Sequence, residues 1–420
     1  MTLPDADQLG SRQSAGPTRS VRAGLVVLAA FVYLGLPLIR QERPRPPGRF
    51  MQLAAAFAEG RLSLVDPQPN ANELIPAGPG GRFYCPYSPL PAVLLLPFAF
   101  LGTVVRVELA CRVVSTVNVL IFDACLTRLP ALLGLPALRP GPRLALDLLF
   151  AFGTVVWHNA DMGGDWHLAH AVALGAMLLA LREFAGVNRP LLVGCFAALA
   201  ITARPTTALT CLFFVAGYRS GAGVKRRRSL FQLAAAPCVA ICALAMYNHV
   251  RFGSPTDFGY GQMLLKGAGR RLLTDYGQFN LHFIPINAYW FFAAPPVPLS
   301  GGRFPLLGYD PRGLSLFIAS PALVYVFAGA IRRWRCVHVR HAALGIGCCL
   351  VPLLMHFNTG FWQFGHRFSM DYLPLLMVLV VAGMGTRPGR TAFGLIGASL
   401  LINGVGVLLD PVVVSAAVFE

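Results

Sequence analysis

Five carboxylates stand out in this sequence because they lie in polar segments between long apolar blocks. A carboxylate in such a segment can accept hydrogen bonds from hydroxyl groups, as the binding of a carbohydrate requires, and a charge beside a membrane helix is usually functional. Two of them also have a structural interpretation, since Asp66 before Pro67 suits a turn and Glu73 could be a solvated loop residue. The candidate catalytic acids are Glu42, Asp66, Glu73, Asp161 and Asp165.

Arginine, tyrosine and histidine side chains in the same polar segments suit an anionic or carbohydrate ligand. A guanidinium group binds phosphate oxygens in a bidentate fork, and a charge beside a membrane helix is costly and usually functional. Aromatic rings can stack on sugar faces, although Trp and Tyr also gather at membrane interfaces simply as anchors. The candidate residues for binding the phosphate or the substrate are Arg112, Arg204, Arg367, Tyr84, Tyr87, His158 and His366.

The sequence contains no spacing that is typical of a metal centre. The ten cysteines are scattered without a C-x-x-C pair, which also argues against a disulfide framework. His158, His167 and His170 lie close together in the sequence, but the last two begin a predicted helix and could be satisfied there. We therefore predict that the protein holds no cofactor, and a divalent metal at these histidines is the alternative.

The apolar blocks that separate these polar segments predict an all-α polytopic membrane protein. Of the 420 residues, 55% are hydrophobic and only 13% are charged. The apolar residues occur in uninterrupted runs such as Ala23–Leu36 and Leu373–Gly383, and in lipid only helices or closed barrels satisfy the backbone. The net charge of +17 comes mostly from clusters between these runs, and no zinc-finger or RNA-binding signature accompanies it. Nucleic acid is therefore not expected as a partner.

The distribution of basic clusters predicts how the chain crosses the membrane. Residues 1–20 are expected to form a disordered cytoplasmic tail, and residues 21–420 a single transmembrane domain. Two long external loops are expected at about 40–108 and 248–312. The apolar segment Pro89–Leu101 is predicted to lie at the interface, because a crossing there would put all later basic clusters outside. The eleven membrane helices are predicted at about 22–39, 109–127, 144–157, 167–181, 191–203, 206–218, 230–247, 313–331, 342–357, 371–386 and 391–409.

Several stretches resemble the GT-C membrane glycosyltransferases that use polyprenyl-phosphate sugars, and in particular the branch of protein O-mannosyltransferases and aminoarabinose transferases. The similarity covers most of the chain, and its motifs are diffuse. It includes Arg112 at the start of the second helix and an acid in the second external loop. The similar stretches are "AEGRLSLVDP" at 58–67, Tyr84–Pro89, "ITARPT" at 201–206, "YNHVRFGSPTDFGYG" at 247–261 and "FGHRFSMDYLPLL" at 364–376.

The resemblance implies that an acid just after the first helix acts as general base and that an arginine stabilises the leaving phosphate. Glu42 is the acid closest to the expected place, about three residues upstream of it, and it is the favoured base. Asp161 or Asp165 would be the acid of the second loop. Arg112 would bind the donor phosphate, with Arg204 or Arg367 as further contacts.

The sequence departs from the family pattern at two places. The Asp-Glu pair of the family falls on Arg45-Pro46, and its lysine before a double proline falls on Tyr87. Because of this departure, either Glu42, Asp66 or Glu73 acts as the base, or the chemistry of the family is altered or lost in this protein.

The resemblance implies an inverting glycosyltransferase in the plasma (inner) membrane, with a cytoplasmic amino terminus and an extracytoplasmic active face. The donor would be a polyprenyl-phosphate-linked sugar from the lipid bilayer, and the acceptor an extracytoplasmic glycan, lipid or protein. Two alternatives remain open. One is a non-enzymatic lipid-linked glycan flippase or transporter, and the other is a catalytically degenerate family member.

Overall fold

The computed structural model describes residues 19–40, 46–65, 73–78, 80–220, 223–299 and 306–410. The chain is mainly helical in these ranges and has almost no sheet, which confirms the predicted all-α polytopic fold. The main helices are Arg19–Ala30, Arg49–Ala58, Leu90–Phe100, Val107–Leu126, Pro140–Phe152, Val155–Met162, Asp165–Ala185, Pro190–Ala203, Leu212–Arg219, Gly223–Phe252, Gly267–Tyr276, Tyr325–Arg332, Val337–Met355, Leu373–Met384 and Arg390–Leu409. Short helices occur at Leu36–Ile39, Leu129–Leu132, Thr207–Thr210, Ile284–Ala288 and Leu316–Ala319.

Six helices of the described ranges are long and apolar enough to cross a membrane. They are Val21–Ile39, Val107–Leu126, Asp165–Ala185, Arg226–Phe252, Val337–Met355 and Arg390–Leu409. Five further apolar helices are shorter, with 10–17 residues, and one of these is Leu90–Phe100, for which the sequence predicted an interfacial position. The break at Arg204–Thr206 between two short helices is also present as predicted.

The core of the bundle is centred on the helix Leu373–Met384, in which all 12 side chains are buried. A helix that is apolar on every side is stable only when other elements surround it completely. It crosses Tyr325–Arg332 at two glycines, and a Cβ atom on Gly329 or Gly383 would collide with the backbone of the other helix. At the periphery, Arg226–Phe252 leaves most of its apolar side chains exposed, as expected for a helix that faces lipid.

A small cap lies over one end of the bundle, and we define it as residues 46–65, 73–78 and 80–104. Its amphipathic helix Arg49–Ala58 buries Phe50 and Leu53 and packs against Leu90–Phe100. Beside them, Leu64–Val65 (β1) and Ile75–Pro76 (β2) pair with Arg82–Tyr84 (β3) in an antiparallel sheet of order β1-β3-β2. A second short sheet pairs Val297–Pro298 (β4) with Leu307–Gly308 (β5).

The structure differs from the predicted boundaries in three places. The segment Trp157–Asp161, expected in a loop, lies in the helix Val155–Met162, because the Thr154 hydroxyl accepts a hydrogen bond from the Val156 amide and begins a new helix there. The helix Gly223–Phe252 extends well beyond the predicted 230–247. The predicted helix 313–331 is instead three pieces, since Pro321 starts a 3₁₀ turn between Leu316–Ala319 and Tyr325–Arg332.

Candidate functional site

Glu73 and Tyr87 form the acidic part of a polar cluster beneath the cap. Glu73 precedes β2 and Tyr87 follows β3, so the antiparallel pairing of these strands brings the two side chains together. The Tyr87 hydroxyl donates a hydrogen bond of 2.5 Å to Glu73 Oε2. Burial raises the pKa of Glu73, and the Tyr87 hydrogen bond and the Arg367 charge lower it only in part. Glu73 therefore binds a proton more tightly than an ordinary glutamate does.

Arg367 lies next to this pair on aromatic rings. Its guanidinium carbon is 4.9 Å from the centre of the Trp166 ring and 5.5 Å from that of Phe368, and Trp166 is in edge contact with Tyr87. Only 5% of Arg367 is exposed. Its Nη1 donates to the Phe361 carbonyl at 2.5 Å, whereas its Nε has no acceptor among the described residues. Burial and the charge of Arg204 lower the pKa of Arg367 to about 10, so it stays charged at neutral pH.

Arg204 is the second cation of the cluster, and it lies 5.4 Å from the same Phe368 ring. Its Nε and Nη2 donate to the fully buried carboxylate of Asp371 at 2.9 and 2.8 Å. No acceptor for its Nη1 occurs in the described part of the chain. The Thr206 hydroxyl and His170 Nδ1 also contact Asp371, at 2.5 and 3.1 Å. Asp371 therefore fixes the orientation of Arg204, and the Nη1 edge of its guanidinium group stays available to a ligand.

The break after Pro190–Ala203 is what places Arg204 at this position. Pro205 cannot continue a helix, and Arg204 takes an extended conformation at the end of the preceding one. Arg367 and Asp371 lie in the 3₁₀ turn Arg367–Asp371 that begins the buried helix Leu373–Met384. Both cations are thus held by backbone that is packed into the core.

The cluster combines a carboxylate that can accept a proton with two cations that retain free hydrogen-bond donors. Arg204 and Arg367 carry two positive charges; Asp371 pairs directly with Arg204, whereas Glu73 lies near Arg367 without a direct ion pair to it. Because a buried charge is costly unless it is paired, the second cation favours an anionic ligand. Glu73, Tyr87, Arg204 and Arg367, predicted from four separate stretches of sequence, are brought together here.

Asp165 has a different environment from Glu73. Its two carboxylate oxygens accept hydrogen bonds from the backbone amides of Arg49 and Phe50, at 3.0 and 2.9 Å. These amides open the helix Arg49–Ala58, where the first N–H groups lack partners within the helix. The contact fixes the cap on the bundle, and a catalytic role of Asp165 stays a prediction.

Asp161 and Arg112 lie together on the same side of the bundle, in a second polar cluster. Arg40 Nη1 contacts both carboxylate oxygens of Asp161 at 3.1 Å, and Arg112 Nη2 donates to the Asp161 carbonyl at 3.0 Å. Arg40 also donates to the Val407 carbonyl at 3.0 Å. These contacts join the end of the first helix to that of the last one. The roles predicted for Asp161 as an acid and Arg112 as a phosphate ligand stay predictions.

The other predicted residues have mainly packing contacts. Tyr84 packs edge-on against Phe252, with ring centres 5.7 Å apart. His158 is buried, and its Nδ1 accepts a hydrogen bond from the Phe364 amide at 3.4 Å. His366 is buried beside Phe368, between the cluster and the core. Glu42 and Asp66 lie outside the described residues.

Sequence reasoning missed Asp371 and Trp166 as members of the cluster. Asp371 carried a signal, because a carboxylate directly before a fully apolar helix is costly unless it has a partner. Trp166 carried no signal except its place in a polar segment, because a tryptophan that only anchors the chain at the membrane interface lies in similar segments. Within the described residues, no three His, Cys, Asp or Glu side chains converge on a position that could hold a metal ion.

A groove of about 420 Å³ lies between the cap and two helices of the bundle. Its walls come from the cap, from the end of Pro190–Ala203 and from Gly223–Phe252, and Thr202 lies two residues before Arg204. Most of its lining is apolar: Phe57, Gly60, Arg61, Leu62, Pro89, Val93, Thr202, Ala243, Leu244 and Tyr247.

Comparison with known proteins gave one similar structure. No protein-family model and no curated protein matches the sequence. Among solved structures, the fold is similar to the crystal structure of the Archaeoglobus fulgidus oligosaccharyltransferase in the apo form. The TM-score is 0.46, and the sequence identity is 12% over 94% of this chain. The chain spans about half, 55%, of the length of that protein.

Proposed function

We propose that the protein is an inverting glycosyltransferase that moves a sugar from a polyprenyl-phosphate donor to a hydroxyl group of an extracytoplasmic acceptor. The observation that carries the proposal is the position of Glu73 beside the arginine pair. A proton acceptor and an unsatisfied anion site lie in one cluster, linked through Tyr87, Trp166 and Phe368. Displacement of a phosphate by a hydroxyl group needs both of these functions at once.

In the proposed mechanism, Glu73 takes the proton of the acceptor hydroxyl as its oxygen attacks the anomeric carbon. The bond between that carbon and the phosphate oxygen breaks, and the electron pair leaves with the polyprenyl phosphate. Attack from the face opposite the phosphate inverts the configuration in one step. The raised pKa of Glu73 suits this role because a general base works best when its pKa is near the operating pH.

Arg204 and Arg367 would hold the donor phosphate and stabilise the charge that develops on it. Asp371 keeps Arg204 in place, so little reorganisation is needed when the phosphate binds. The isoprenoid chain of the donor would occupy the apolar groove, whose lining includes Thr202. The Trp166 ring, which lies between Tyr87 and Arg367, is positioned to pack on the sugar.

The test uses the full chain reconstituted in liposomes with a panel of radiolabelled polyprenyl-phosphate hexoses and pentoses and with hydroxyl acceptors of the three proposed kinds, a glycan, a lipid and a serine-containing peptide. We expect one class of donor to release polyprenyl phosphate, and the anomeric configuration of the product, read by NMR, to be inverted. Glu73→Gln should abolish this release while the protein still binds polyprenyl phosphate. Retention of configuration, or full release by Glu73→Gln, would contradict the mechanism.

The same liposome assay distinguishes between an enzyme and a transporter. A flippase would move labelled donor between the leaflets without breaking the bond between sugar and phosphate, and Glu73→Gln would leave that movement intact. Movement of intact donor with no release from any member of the panel would overturn the proposed activity.

A further inference from the structure

The 3₁₀ turn Tyr260–Gln262 packs on β2, the strand of the cap that follows the proposed base. The Leu264 amide donates a hydrogen bond of 3.1 Å to the carbonyl of Leu74, the residue directly after that base. At the start of the turn, a Cβ atom on Gly259 would lie only 2.4 Å from Ile75 Cδ1, and Gly259 has a φ of +78°. A glycine suits both the close approach and this backbone conformation. The turn is therefore held against the backbone that carries the base.

The Tyr260 ring also contacts the residues that follow the helix Val337–Met355. Its centre lies 6.0 Å from that of the His356 ring and 6.3 Å from that of Phe357, both edge-on. The His356 ring is in turn 6.3 Å from Phe368, the ring that lies beside both arginines of the cluster. A series of ring contacts thus joins Tyr260 to the cationic part of the cluster.

The Tyr260 hydroxyl is influenced by both functional parts of the cluster. Burial raises the pKa of Tyr260, the charge of Arg204 lowers it, and the charge of Glu73 raises it. Because interactions between charges weaken with distance, both groups lie near this hydroxyl. Among the residues that the structure describes, none forms a hydrogen bond with it. The hydroxyl can therefore bind a ligand without losing a contact to these residues.

In the proposed reaction, the acceptor hydroxyl lies at Glu73 and the leaving phosphate at Arg204, so the transferred sugar occupies the space between them. We infer that Tyr260 is a specificity-determining residue whose hydroxyl forms a hydrogen bond with a hydroxyl group of the donor sugar. A phenol can both donate to and accept from such a group. A site that binds a substrate hydroxyl in this way rejects analogues that lack it. This role of Tyr260 rests on the proposed function and deepens it.

The experiment measures binding to the full chain in liposomes and compares the native protein with Y260F, which keeps the ring and loses one oxygen. Tryptophan fluorescence follows titrations with sugar-free polyprenyl phosphate and with the sugar-bearing donor that binds most tightly. We expect unchanged affinity for the sugar-free lipid, which also shows that Y260F is folded. The sugar-bearing donor should bind roughly 2- to 12-fold more weakly, as expected for one lost hydrogen bond between neutral groups. Equal weakening for both ligands, or none for either, would overturn the inference.

Deoxy sugars identify the group that Tyr260 binds. In a series of donors, each hydroxyl group of the sugar is replaced in turn by hydrogen, and every member is titrated against the native protein and Y260F. We expect the two proteins to bind one member of the series with equal affinity, because that donor lacks the partner of the missing phenol oxygen. With the other members, Y260F should keep its lower affinity. The same deficit across the whole series would contradict a hydrogen bond to a sugar hydroxyl.

The matched control is Y276F, which removes the hydroxyl of an exposed tyrosine whose ring is stacked on His282. It should change neither affinity, and a loss for the sugar-bearing donor equal to that of Y260F would count against a specific role of Tyr260. Turnover is measured in parallel with the donor that the native protein cleaves. Absence of release from every donor by the native protein would contradict the proposed activity alone, since the binding titrations still report on Tyr260.

Discussion

Glu73 and Asp165 are both acids on the cap side of the bundle, but different atoms contact their oxygens. Asp165 accepts from two backbone amides at the start of the helix Arg49–Ala58. Glu73 accepts from the neutral hydroxyl of Tyr87 and lies near, but without a direct ion pair to, Arg367. Both oxygens of Asp165 are used to hold the cap, whereas Glu73 has capacity left for a substrate proton. The contrast teaches that burial alone does not distinguish the two acids; their hydrogen-bond partners do, and they are the reason why we propose Glu73 as the base.

The same distinction applies to the arginines. Arg40 uses its donors on Asp161 and on the Val407 carbonyl, and so it joins two helix ends. Arg367 is buried more deeply, and its Nε has no acceptor in the part of the chain that the structure describes. A buried cation whose donor lacks an acceptor is unfavourable, and an anion that accepts from this donor removes that cost.

The largest expected effect is the loss of turnover in Glu73→Gln, which keeps the shape of the side chain and removes its basicity. Turnover should fall by at least roughly two orders of magnitude, because a positioned base contributes about 10²–10⁴-fold. The matched variant Asp165→Asn should retain most of the turnover. The measurement is release of polyprenyl phosphate in liposomes. Equal losses in the two variants would remove the distinction between these acids.

The next effect concerns binding of the phosphate. Arg204→Gln and Arg367→Gln should each weaken binding of a long-chain polyprenyl phosphate by roughly 10- to 100-fold, since hydrogen bonds to charged groups contribute about 1.5–3 kcal/mol. Tryptophan fluorescence can follow the titration because Trp166 lies against Arg367. Arg189→Gln, which removes an exposed ion pair with Glu183, is the control. Unchanged affinity in both site variants would show that the phosphate binds elsewhere, with Arg112 as the next candidate.

A smaller effect is expected on stability. Asp165→Ala should lower the free energy of unfolding by about 1–2 kcal/mol, as loss of a helix-capping acceptor does. Asp161→Ala should lower it less, because its partner Arg40 is partly exposed and solvent screens the pair. Thermal unfolding in one detergent gives the comparison. A larger loss for Asp161→Ala would mean that the Arg40 contact, and not the cap, limits the stability.

The smallest effect is a shift in pH dependence. Turnover should rise with pH as Glu73 loses its proton, and its raised pKa places this rise above the usual range for a glutamate. The Tyr87 hydrogen bond lowers the pKa of Glu73, so Tyr87→Phe should move the rise to higher pH. At high pH the variant and the native protein should have similar rates. A shift to lower pH, or no shift, would exclude Glu73 as the group that titrates.

Sequence alone predicted much of the fold and part of the candidate site. Long apolar runs predicted the membrane helices, and Arg204-Pro205 predicted the break that positions Arg204. The helical state of Trp157–Asp161 was missed, because the capping interaction of Thr154 outweighed the polar composition of the segment. The sequence also favoured Glu42 as the base from its place near the first helix; Glu42 lies outside the described residues, and that role stays a prediction.

By itself, the sequence determined that the helices of this protein lie in lipid. It also determined which segments contain the polar residues. Both follow from local composition, since a run of apolar residues has the same preference for lipid in any fold. Only the tertiary structure decided which polar residues share a site. Asp165 meets Arg49 and Phe50 across more than 110 residues, and Asp371 meets Arg204 across 167. Such partners depend on how helices pack together, and a single sequence contains no local signal that specifies them.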